Sequence, residues 1–171
     1  MALRHLKTAQ TALGRAEELI AMALVAALMI VVNLQIFARY IFHHPFIWPE
    51  EVSRLLLVWM TFIGAAALTR RGADLAVDTF IEMLPHGRRR VLLIIRDALL
   101  VVVFTVIALQ GFELAKAVNG MPLVATGWPT ALLAWPVIAG AALTVFHCVV
   151  RLIDGFANPS VEVPHTPKVL T

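Results

Sequence analysis

The chain has 171 residues, 60% hydrophobic and 15% charged, with a mean hydropathy of +0.85 and a formal net charge of +3. Soluble domains carry about a quarter charged residues, so this composition excludes an ordinary water-soluble globule. It implies a handful of spanning helices with no room for a separate soluble domain. The arginines lie beside apolar runs, the pattern of topology determinants and not of a nucleic-acid surface. Cys148 is the only cysteine, which excludes an internal disulfide and a cysteine metal site.

Residues 1–18 form a short basic segment with Arg4, Lys7 and Arg15, and Leu3, Leu6, Ala9 and Leu13 recur there at roughly helical spacing. The apolar run from Leu19 to Phe42 is too long for a signal core of about 7–15 residues, so it reads as a retained first span over 19–42. Asn33 and Gln35 lie within it, and Arg39 and Tyr40 near its far end. A connection rich in histidine and proline, His43 to Pro49, leads to a second span over 49–69. Pro49 suits the first helical position, where its missing N–H has no intrahelical partner. Glu50 and Glu51 then fall in the first turn, where the helix dipole favours negative charge. Glu50 and Arg54 share a face and can pair. Trp48 and Trp59 are separated by about 16 Å along a helix, which puts the first at a membrane surface and the second in the bilayer. The small run Gly64 to Ala67 permits close approach of another helix.

After Arg70-Arg71-Gly72, residues 74–84 place Asp74, Asp78 and Glu82 on one face and Leu75, Phe80 and Met83 on another. That segment is too short to span, so it reads as an amphipathic helix lying on the membrane surface. A third span over 90–118 is about 43 Å long, exceeding the hydrocarbon core of about 30 Å, so it tilts or protrudes. Asp97 lies near one end and Glu113 near the other. Asn119 to Pro122 break it, and a loop containing Gly127-Trp128-Pro129 leads to a fourth span over 130–153. Residues 156–171, with Pro159, Pro164 and Pro167, read as a loose tail.

Basic residues concentrate before the first span and between the second and third, where Arg70, Arg71, Arg88, Arg89 and Arg90 lie. The positive-inside rule therefore puts both termini in the cytoplasm and the Trp48–Arg54 stretch at the outer side.

Glu50, Glu51 and Arg54 admit a capped, salt-bridged helix start or contact with another protein at the membrane edge; a catalytic acid–base pair is disfavoured because no nucleophile accompanies them. His43 and His44 are adjacent on a turn and read as a solvated loop. A bis-histidine haem needs a second histidine at the depth of His147, and the predicted spans contain no other; no cofactor is expected. Charges inside spans are costly. Asp97 lies only about 10 Å along the helix from Arg90, near the cytoplasmic interface, and pairing with Arg70 or Arg71 is expected. Glu113 and Lys116 can pair with each other, and Asn33 reads as a helix–helix hydrogen-bonding residue.

Taken in order, Arg39-Tyr40-Ile41-Phe42, Trp48-Pro49-Glu50-Glu51-Val52-Ser53-Arg54, Val58-Trp59 and Phe62-Ile63-Gly64-Ala65-Ala66 resemble the small membrane subunit of TRAP transporters, the DctQ family. Arg71 to Asp78, Gln110-Gly111 and the run from Gly127 to Pro136 fit the same pattern, except that Asp74 stands where that pattern has histidine. The resemblance covers roughly residues 19–155. It implies an all-α integral membrane protein of the bacterial inner membrane, with four transmembrane helices in a domain over 19–155. It also implies a non-catalytic subunit of a sodium-driven, binding-protein-dependent uptake system for organic acids. Its expected partners are a large membrane subunit, a periplasmic substrate-binding protein and membrane lipid. Arg39, Trp48, Glu50, Glu51, Arg54, Trp59 and Gly64 become the candidate partner interface, with Asp97 and Glu113 as candidate interfacial charges. Two other classes compete: a membrane anchor of a redox complex, which needs haem or quinone ligands, and a small autonomous exporter, which needs a mid-span charge.

Overall fold

Hydropathy alone dictates the elements, because each long apolar run must satisfy its own backbone hydrogen bonds in lipid and does so as a helix. In a computed structural model describing residues 2–41, 43, 46–71 and 86–157, the elements are α1 (Ala2–Tyr40), α2 (Trp48–Arg71), α3 (His86–Ala117), a 3-10 turn (Thr130–Leu133) and α4 (Trp135–Ala157). Four stretches are long and apolar enough to cross a membrane: Gln10–Tyr40, Trp48–Arg70, Val91–Ala117 and Thr130–Ile153. The all-α, four-span class expected from the sequence is the observed one. The expected surface helix over 74–84 and the tail from residue 158 lie outside the described residues.

Two differences from the expected elements have local causes. The basic N-terminal segment is not separate from the first span, since α1 runs unbroken from Ala2. Residues 2–18 are mostly Ala, Leu, Gln, Glu, Lys and Arg, which are strong helix formers, so charge changes along α1 without a break in the backbone. The fourth span does not begin as an α-helix. Pro136 has no N–H to give the carbonyl four residues back, so the α-helical ladder cannot extend through it. Residues 130–133 take the tighter 3-10 form instead, with Pro129 extended ahead of them.

The helices stand in a row, in the spatial order α1, α2, α4, α3. Among the described residues, α3 packs against α4 and the 3-10 turn, and against neither α1 nor α2. Small side chains set the spacing. Ala66 on α2 and Ala141 and Thr144 on α4 are completely buried where those helices cross. A Cβ on Gly140 would lie 2.6 Å from the Phe62 Cβ and 2.7 Å from the Phe62 carbonyl oxygen, so only glycine permits this approach. Gly111 on α3 performs the same role more loosely, since an added Cβ there would lie 3.2 Å from the Ile138 side chain. Thr144 satisfies its hydroxyl by donating to the Gly140 carbonyl at 2.9 Å, as Thr69 does to Ala65 at 2.9 Å. Gly64, expected to admit a neighbouring helix, meets nothing within 4 Å of an added Cβ. The buried stripe of α2 is Ile63, Ala66 and Ala67, and Gly64 lies about 100° around the helix from Ile63.

Candidate functional site

At one end of the row, α1 closes with the Ile41 N–H donating to the Phe37 carbonyl at 2.9 Å. His43 then reverses the chain in the left-handed region, at φ 54°. The Phe46 and Trp48 rings follow, 6.2 Å apart between centroids, and Pro49 is buried in the first turn of α2. Glu50 and Arg54 form an exposed pair at 3.5 Å, the expected i,i+4 contact.

Glu51, one residue on, turns the other way and binds the loop between α3 and α4. Its Oε1 accepts the Ala125 N–H at 2.8 Å, and its Oε2 accepts both the N–H and the hydroxyl of Thr126, each at 2.8 Å. The loop is closed on itself. Leu123 N–H donates to the Trp128 carbonyl at 2.7 Å, Gly127 N–H to Leu123 at 3.0 Å, and Thr130 N–H to Met121 at 2.9 Å. Gly127, at φ +70°, supplies the left-handed residue this turn needs. Charge-assisted bonds from two backbone amides and a hydroxyl make Glu51 a clasp inside the chain. The two neighbouring carboxylates thus have different roles, one exposed and one holding the loop.

The clasp leaves an apolar rim around itself. Val124 is 99% exposed at the loop tip, Ile47 is 77% exposed, and Phe46, Trp48, Met121 and Trp128 are also exposed. Of the other candidate residues, Arg39 is exposed, Trp59 is half-buried, and Gly64 faces open space. Glu113 is exposed and pairs with Lys116 at 3.0 Å, and the ammonium of Lys116 rests 4.5 Å from the centroid of the Phe112 ring.

The opposite end is tied by polar contacts that cross the row. Asp97 is buried, and Arg70 is not its observed partner; the side chain of Arg71 lies outside what is described. Asp97 Oδ1 accepts from Arg151 of α4 at 2.8 Å and from the adjacent Arg96 at 3.1 Å. Arg151 also donates to the Thr69 carbonyl at the end of α2, 2.8 Å away, so one guanidinium joins α2, α3 and α4. The cause of the difference is the row itself: α4 stands between α2 and α3, so the basic residue within reach of Asp97 comes from α4. Arg70 points the opposite way, across α1, where it pairs with Glu18 and occupies the space left by Gly14.

Sequence reasoning missed a further pair. His147 Nε2 lies 2.9 Å from Glu17 Oε1, with the two side chains 0% and 3% exposed. A signal was present: a histidine in an apolar span needs a polar partner, and Glu17 and Glu18 are the acidic residues of an otherwise basic segment. Because α1 continues straight into that segment, its polar residues reach α4. Among the described residues, no three His, Cys, Asp or Glu side chains are grouped to hold a metal ion.

Residues 28–158 match the family of tripartite ATP-independent periplasmic transporters, DctQ component. The chain is 26% identical over 150 residues to the sialic acid TRAP transporter small permease protein SiaQ of Vibrio cholerae, covering 88% of this chain and 87% of that one. A putative TRAP transporter small permease protein of Haemophilus influenzae is 26% identical over 139 residues, 80% of this chain and 84% of that one. The sialic acid TRAP transporter permease protein SiaT of Haemophilus influenzae is 28% identical over 78 residues, 46% of this chain but 13% of that longer one. The chain therefore belongs to the DctQ family of TRAP transporter small permease subunits, non-catalytic multi-pass proteins of the inner membrane that work with a large permease subunit.

Proposed function

We propose that the chain scaffolds the large permease subunit of a sodium-driven uptake system for organic acids and presents a docking surface to a periplasmic substrate-binding protein. The Glu51 clasp carries this reading. It ties the start of α2 to a loop 74 residues later and so holds the Phe46–Trp48 and Val124–Trp128 edges as one surface. A soluble partner can then dock without first ordering two separate loops, a cost that otherwise subtracts from affinity. An outward position for this edge, with both termini cytoplasmic, follows from the distribution of basic residues. The names of the Vibrio and Haemophilus relatives include sialic acid, itself an organic acid, which supports the substrate class.

Ion and substrate ligands belong, in this reading, to the large subunit. Transporter sites usually lie at mid-membrane, among broken helices within an enclosing fold. Here the charged pairs lie toward helix ends, and a row of helices encloses no interior.

Vesicles provide the test. With large subunit and binding protein present, an inward sodium gradient should drive organic-acid accumulation that depends on this chain. This chain alone should accumulate none. Trp48→Ala should weaken binding-protein docking by about 2 kcal/mol, as for a buried aromatic anchor. Sodium-dependent accumulation by the isolated chain would overturn the reading.

A further inference from the structure

α1 carries two heptad seams, and among the described residues only one is occupied. The first is Gly14, Glu17, Ala21, Leu24, Leu28, Val31, Gln35 and Ala38, whose side chains are buried or half-buried and turn toward α2 and α4. The second is Met22, Ala26, Met29, Asn33, Ile36 and Tyr40, with alternating spacings of four and three, and every one of its residues is exposed. At about 100° per residue the second seam lies roughly 140° around the helix from the first. It faces away from the rest of the row.

Lipid tails alone would account for an apolar face, but not for Asn33. Seven residues from Tyr40, the side chain lies about 10 Å along the axis from the end of α1, well inside a hydrocarbon core of about 30 Å. Its amide nitrogen donates back to the Met29 carbonyl at 2.7 Å while the side chain stays exposed. Polar side chains at that depth are costly in lipid and serve as contacts between helices. One polar residue within an otherwise apolar heptad seam is also the device that fixes the register of paired helices. Ala26 allows close approach, and the unbranched Met22 and Met29 adapt to an irregular partner surface. The outward side of α3 differs: Leu99, Val102, Val103, Val106 and Leu109 are exposed and apolar, and the hydroxyl of the exposed Thr105 spends its one donor on the Val101 carbonyl at 2.6 Å, whereas the Asn33 amide keeps its oxygen and a second N–H to offer.

We propose that the Met22–Tyr40 seam of α1 receives a transmembrane helix of the large permease subunit, with Asn33 as the polar contact that sets its register. This rests on the scaffold role above. The SiaT match supports the occupant: a stretch resembling 46% of this chain makes up 13% of that longer permease, so in that relative a segment of this kind is covalently joined to the permease body.

The test uses the complex of this chain with its large subunit, with a photoreactive benzophenone amino acid placed at Met29 or Ile36 on the seam, or at Leu99 or Val103 on α3. Illumination should yield small–large adducts from the seam positions and none from α3. Asn33→Leu should lower recovery of the large subunit about three- to tenfold, the range of side-chain hydrogen bonds between membrane helices, without lowering the amount of this chain in the membrane. Asn33→Gln should restore part of the loss. Large-subunit adducts from α3 alone, or small–small adducts from the seam, would overturn the seam assignment while leaving the scaffold role intact. Failure of the unmodified chain to recover a large subunit would instead overturn the scaffold role, and the seam with it.

Discussion

Adjacent residues of like chemistry separate sharply here, and the separation is testable at Glu50 and Glu51. Glu50→Ala removes one exposed pair of a kind contributing about 0–1 kcal/mol, so melting in detergent should hardly change. Glu51→Ala strips the acceptor from two backbone amides and a hydroxyl, so residues 123–128 should lose amide-exchange protection while the helices keep theirs. Equal protection in both variants would show that the loop holds itself closed. Asp97 and Glu113 form a second contrast. Asp97→Ala should destabilise the chain by about 2–3 kcal/mol, below the ~3–5 of a fully buried pair because Arg151 keeps the Thr69 carbonyl. Glu113→Ala should cost under about 1 kcal/mol. The sequence shows that all four acids lie near helix ends, but not which way each points. One residue along a helix is about 100° of rotation, and local sequence does not set the rotation of one helix against the next. The same limit explains why Arg70, one of the two partners the sequence suggests for Asp97, turns to Glu18 while Arg151 meets Asp97.

Helices are legible where their signal is local. Each span carries a long apolar window, and the all-α class follows from it. Contacts between helices are less so, as two glycines show. Gly64 lies in a conspicuous small-residue run yet meets nothing, whereas Gly140, in an ordinary apolar stretch, touches the Phe62 backbone. Gly140→Ala should therefore push α2 and α4 apart and cost about 1–3 kcal/mol as an overpacked contact. Gly64→Ala should leave the isolated chain within about 1 kcal/mol of its starting stability. Thermal unfolding of both variants in one detergent decides the matter, and a larger loss at position 64 would contradict the observed packing. Continuity of α1 was legible in its composition but masked by its charge, which changes from basic to apolar within one helix.

At the scale of the whole molecule, orientation is the first thing to establish. In a Cys148→Ala background, a cysteine at Val124 should react with a membrane-impermeant reagent on the outer side, and one at Ala12 only after permeabilisation. The reverse pattern would invert the proposed topology. A further consequence comes from the row of helices. Among the described residues, the buried apolar positions are mostly alanines, with Ile63, Cys148 and Val150 among the few larger ones. Four helices side by side bury little of themselves, and in lipid no hydrophobic force drives them together. Cohesion rests on a few close approaches and on polar ties such as Arg151 with Asp97 and His147 with Glu17. A chain so composed loses little apolar burial when one edge opens, but each opening breaks a polar tie and leaves its charge unpaired, the kind of opened state that cellular proteases remove. Its abundance in the cell should accordingly be set by turnover and not by synthesis. Pulse-chase labelling should give a short half-life when the chain is made alone and a several-fold longer one beside its large subunit, so the partner's copy number would determine how much of this protein persists.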